Sequence, residues 1–129
     1  MTHELIKEVH SLTEECERWA SLYEEEQSLV YLLDHVLLWA QDRNLIEGAT
    51  LKDQMLKMME ELGETAAAIA RGNKEKIKDG IGDCLVVLTI LAAQNGLSVK
   101  ECLRKAYDEI KDRKGRMVNG IFIKEQDLE

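Results

Sequence analysis

Apolar residues recur at alternating spacings of four and three through Leu5, Val9, Leu12, Cys16, Trp19 and Tyr23, the seam of an amphipathic helix. The charged stretch Glu24 to Gln27 interrupts the seam, and helical spacing resumes at Leu29, Leu33, Val36, Leu37 and Ala40. This leaves open either one kinked helix or two, with Trp39 and Arg43 near the end. Residues 44–49 read as a loop. Thr50 followed by Asp53 resembles a capping box and opens a helix to about Arg71, where Gly72 suits the C′ position. Asn73 caps the next helix, which runs to about Gln94 before Asn95 and Gly96. Ser98 with Glu101 is a second capping box, for a helix to about Lys114. Beyond Gly115, the Asn119–Gly120 pair between Met117, Val118 and Ile121, Phe122, Ile123 predicts a small hairpin or an extended tail.

The middle two helices carry unlike patterns. On the first, Met55, Met59, Leu62, Ala66 and Ile69 form one apolar stripe, and Glu60, Glu61 and Glu64 lie roughly opposite, as a solvated face would. The second is apolar nearly all round from Cys84 to Ala93, which predicts burial on every side. Asp79 and Asp83 head one of its faces, which Val86 and Ile90 continue. Carboxylates at the head of a buried face are costly unless a cation or hydrogen bonds compensate them, and a hard divalent ion is the simplest compensator. Gly63, Gly80 and Gly82 each weaken a helix by about 1 kcal/mol relative to alanine. Close approach of the two helices would offset that cost.

With 129 residues, no proline, eight glycines and 5% aromatics, the chain is expected to be all-α, a bundle of four to five helices. The expected layout is one domain over 1–129: a packing and oligomerisation helix at 1–28, a helical core at 29–115 and a tail at 116–129. A net charge of −8 argues against nucleic-acid backbones as partners. Cys16, Cys84 and Cys102 have no metal or disulfide spacing and read as reduced, mostly buried thiols. No signal core is evident, and the longest apolar run, CLVVLTILAA, is too short to cross a bilayer; a cytoplasmic protein without membrane attachment is expected. His3, His10 and His35 lack the spacing of a di-iron bundle or zinc hydrolase.

From about Leu33 to Lys124 the chain resembles the MazG-like all-α nucleoside triphosphate pyrophosphohydrolases. The EExxE of that family stands here as Glu60, Glu61 and Glu64, and its ExxD is represented by Asp83. The flanks WAQDRNLI, Gln54 with Lys57, and AYDEIKDRKGRMVNGIFIKE resemble a branch common in phages and their bacterial hosts. The resemblance implies Mg²⁺-dependent cleavage (Mn²⁺ as a substitute) of a nucleoside triphosphate to monophosphate and pyrophosphate, in nucleotide-pool housecleaning. It implies metal binding by Glu61, Glu64 and Asp83, with Glu60 or Glu61 as ligand or as the base that orients water. Gly80 stands where the family has the first Glu of ExxD, and Asp79, one turn before Asp83, is the expected replacement. Lys57, Lys111, Arg113 and Lys114 are candidate phosphate contacts, Arg113 foremost because a guanidinium binds phosphate bidentately. Trp39 is the candidate platform for the base, with Arg43 and Gln54 beside it. Asp108 stands near a position where relatives often carry Asn. A homodimer or homotetramer is implied. Two other readings stay open: a noncatalytic helical interaction protein that retains the fold, and a phosphoribosyl-ATP pyrophosphohydrolase-like enzyme.

Overall fold

The computed structural model of the protein describes residues 2–128, leaving aside the side chains of residues 25–27. Four helices run in order: α1 (His3–Asp42), α2 (Leu51–Ala70), α3 (Lys74–Gln94) and α4 (Val99–Ile110). A two-stranded antiparallel sheet, β1 (Gly115–Val118) and β2 (Ile121–Lys124), and a single 3₁₀ turn at Glu125–Asp127 follow. The all-α expectation therefore holds at four helices, and the tail is a hairpin. Its loop is Asn119 and Gly120, with φ of 50° and 81°, and Val118 pairs with Ile121 across it. Positive φ at both central residues is what a two-residue turn matching the twist of the strands requires.

The chain divides into two compact units, residues 1–49 and 50–129. The first is α1 and the turn after it. α1 is continuous over 40 residues, so the expected boundary at 28/29 falls inside one helix; of the charged interruption, residues 25–27 lie outside the described side chains. Its seam is open to solvent: Leu5, Val9, Leu12, Trp19 and Tyr23 are each about half exposed or more.

The second unit is built on α2 and α3. Thr50 accepts the Asp53 N–H while the Asp53 carboxylate accepts the Thr50 N–H, closing the anticipated capping box. Asn73 and Ser98 cap α3 and α4 by the same side-chain-to-N3 bond. Gly72, at φ 64°, turns the chain back after α2. α4 stops at Ile110, four residues before the expected end, because its apolar stripe Leu103–Tyr107–Ile110 has no successor among Lys111–Lys114.

The seam between α2 and α3 is not where the apolar pattern put it. On α2 the residues turned inward are Gln54, Met58, Glu61, Thr65 and Ala68, while Met55, Met59, Leu62, Ala66 and Ile69, one position further on, are exposed. On α3 the inward residues are Ile77, Gly80, Cys84 and Val87, and Ile81, Leu85 and Leu88 are exposed. A Cβ on Gly80 would run into the Thr65 hydroxyl and methyl, so this glycine does permit close helix approach. Gly63 and Gly82 face open space and do not. The expected burial of α3 on every side is likewise corrected: Val87, Thr89 and Ile90 are buried, but one flank is bare. Nor are the thiols mostly buried. Cys16 and Cys102 are exposed, Cys84 is half-buried, and all three are free.

Candidate functional site

Successive residues rotate in opposite senses about the two axes of an antiparallel helix pair. Residues one position before the seam on either helix therefore share one side of the pair, and residues one position after it share the other. Before the seam stand Lys57, Glu60 and Glu64 on α2 and Asp79 and Asp83 on α3, so both acidic clusters lie on one side of the hairpin. After it stand the exposed apolar residues Met55, Met59, Leu62 and Ile69 of α2 with Ile81, Leu85 and Leu88 of α3. The hairpin has an acidic side and an apolar side.

Burial reverses the expected ranking of the carboxylates. Asp79 and Asp83 are exposed, as are Glu60 and Glu64. Glu61, read from its helix alone as part of a solvated face, has a side chain only 8% exposed. Its Oε1 is 3.4 Å from Lys57 Nζ, and its Oε2 is buried without a hydrogen-bond partner. Lys57 Nζ also reaches Glu60 Oε2 at 3.4 Å. The Glu61 and Glu60 carboxylates together hold the Lys57 ammonium above its usual pKa. Thr65, one turn on from Glu61, donates its hydroxyl to the Glu61 carbonyl at 2.7 Å and fills the hollow at Gly80. Sequence reasoning passed over Thr65, although its i+4 spacing from Glu61 was a usable signal.

Among the described residues no three His, Cys, Asp or Glu side chains converge closely enough to hold an ion as they stand. Lys57 lies between two of the carboxylates instead. The donor set nonetheless fits a hard divalent cation. Four exposed carboxylates share one side of the hairpin, and Glu61, in the seam beside them, is buried with an oxygen that no protein group satisfies.

The remaining candidates fall into three places. Trp39 and Arg43 belong to the first unit, where the guanidinium lies 4.7 Å from the indole ring centroid and donates to the Trp39 carbonyl at 3.2 Å. That cation–π contact occupies one face of the proposed base platform. Gln54 is buried in the α2–α3 seam. Lys111 caps α4 and lies 3.7 Å from Asp108, whereas Arg113 and Lys114 stand beyond the helix. They line an open hollow with Lys124 opposite them on the hairpin, together with Glu109, Asp112 and Glu125. Lys124 was missed, though the Asn119–Gly120 turn, once read as a two-residue loop, places it across from Gly115.

A model of the MazG nucleotide pyrophosphohydrolase domain matches residues 49–118. The chain belongs to this family. The matched stretch covers α2, α3, α4 and β1 and leaves Trp39 and Arg43 outside. An uncharacterized 18.2 kDa protein in the rep-hol intergenic region of Haemophilus phage HP1 (strain HP1c1) is similar, with 48% identity over 67 residues. The shared segment is 52% of this MazG-family chain and 41% of that relative. No solved structure matches the chain. No single helix among the described residues is long and apolar enough to cross a membrane.

Proposed function

We propose that this MazG-family chain is a Mg²⁺-dependent hydrolase that cleaves a nucleoside triphosphate between the α and β phosphates, releasing monophosphate and pyrophosphate. The observation that carries this reading is Glu61: a buried carboxylate, one oxygen unsatisfied, beside four exposed carboxylates on the same side of a helical hairpin. Leaving a buried acceptor without its hydrogen bond costs about 1–3 kcal/mol, and more when the group is ionised, so a binding partner is expected there. Glu61, Glu64, Asp79 and Asp83 are assigned to hold the ion, with Asp79 standing in for the glutamate absent at Gly80. Bound there, Mg²⁺ supplies charge neutralisation of the triphosphate and activation of water.

The chain's own groups do the rest. Glu60, exposed beside Glu61, is assigned to orient and deprotonate the attacking water. Lys57 and, from the hollow beyond α4, Arg113 and Lys114 hold phosphate oxygens, with Lys111 nearby. Trp39 is assigned as the platform for the base, and Gln54 steadies the seam rather than touching the base. The apolar side of the hairpin docks on a second copy, giving a homodimer or homotetramer. Seven large apolar side chains exposed on one flank support this, since contiguous apolar patches mark association surfaces. The whole chain acts as one functional domain in the cytoplasm, in nucleotide-pool control.

Incubation of the pure protein with a panel of deoxynucleoside triphosphates and Mg²⁺ tests the reaction. Pyrophosphate and monophosphate should appear in equal amounts. Orthophosphate with diphosphate would contradict the bond assigned.

A further inference from the structure

The Lys57 ammonium stands between two carboxylates of the acidic cluster. It bridges Glu60 Oε2 and Glu61 Oε1, each at 3.4 Å, and its side chain is half exposed on a flexible four-carbon stem. Both contacts are long beside the 2.7–2.9 Å typical of strong N⁺–H···O⁻ bonds. They leave Glu61 Oε2 unsatisfied, since an ammonium at this position meets only one of the two oxygens. A small divalent cation approaches carboxylate oxygens to about 2.0–2.1 Å and carries twice the charge. It would satisfy the buried carboxylate better than the lysine does, and two cations on one carboxylate repel each other.

Resting on the metal-site reading above, we propose that Lys57 is the site's built-in counter-cation: it neutralises Glu60 and Glu61 in the metal-free protein and is displaced when a divalent ion binds. The displaced ammonium remains one turn from Glu61, on the acidic side of the hairpin, and there it takes a phosphate oxygen of the triphosphate. Free metal must compete with Lys57 and gains nothing in return. A metal–triphosphate complex supplies both the ion for Glu61 and an anion for the released lysine. The exchange therefore biases the site toward the complex and against the bare ion.

Lys57→Met keeps the apolar stem and removes the charge at a half-exposed position; Lys57→Gln is a second variant should the first misfold. Mn²⁺ affinity is read by electron paramagnetic resonance, first for Mn²⁺ alone and then for Mn²⁺ with a nonhydrolysable triphosphate. Loss of Lys57 should tighten binding of the bare ion about fivefold, the scale of a partly exposed ion pair, and weaken binding of the complex. Bare-ion affinity that is unchanged or weaker in both variants overturns the exchange while leaving the metal site standing. Absence of Mn²⁺ binding by the wild type and both variants overturns the metal site and the exchange together.

Discussion

The Thr65 side chain fills the space that a Cβ on Gly80 would occupy, locking α2 against α3 one turn from the buried Glu61. A glutamate at 80, the residue the family resemblance leads one to expect, would drive its Cβ into Thr65. Gly80→Ala should destabilise the chain by up to about 2 kcal/mol, since overpacking costs about 1–3 and the helix gains about 1. Thr65→Ala should recover part of that loss, because it removes the hydroxyl and methyl that collide. Urea denaturation of the two single variants and the double variant measures the coupling.

Removal of charge should change stability at Glu61 but not at Asp83. In buffer with a chelator, Glu61→Met should raise stability by about 1 kcal/mol, because a buried carboxylate with an orphaned oxygen gives way to an apolar side chain of similar reach. Asp83→Met, at an exposed position, should leave unfolding unchanged. Both should abolish Mg²⁺-dependent turnover. Asp79→Ala should abolish it as well, and intact turnover in that variant would remove Asp79 from the ligand set.

The capping box of α2 should be visible in the pH dependence of stability. The Thr50 backbone N–H, and then its hydroxyl, hold the Asp53 carboxyl below its usual range. A depressed folded pKa means a contribution present above the unfolded value, near 3.8, and lost as pH falls through the lower folded value. Wild type should therefore exceed Asp53→Asn in thermal stability at pH 6, with the gap closing as the pH drops below about 4. A gap that stays constant to pH 3 would mean that the charge on Asp53 contributes nothing.

Oligomeric state should depend on one flank of the hairpin. Leu62→Glu or Leu88→Glu should shift sedimentation to the monomer, because each places a charge within the shared apolar side. Leu56→Glu, also exposed but on a different face of α2, should not. Burying a leucine is worth about 1.5–3 kcal/mol, enough for a single charge to dissociate the assembly at micromolar concentration.

The sequence alone determined the elements and the family. Caps at Thr50, Asn73 and Ser98, the stop at Gly72 and the turn at Asn119–Gly120 are decided within three or four residues, by which local groups satisfy the backbone. The EExxE spacing is equally local. Which helical face meets which was decided only by tertiary structure. The apolar stripe from Met55 to Ile69 looked like the core of α2, yet the seam runs one residue earlier, where Gly80 and Thr65 allow the backbones close. That rotation of about 100° carried Glu61 out of the solvated face and into the seam. It left Asp79 and Asp83 exposed, turned the apolar stripe outward and set Lys57 between two carboxylates. Periodicity says that a helix has two faces. Only packing, where the shape of one helix selects the face of the other, says which is buried.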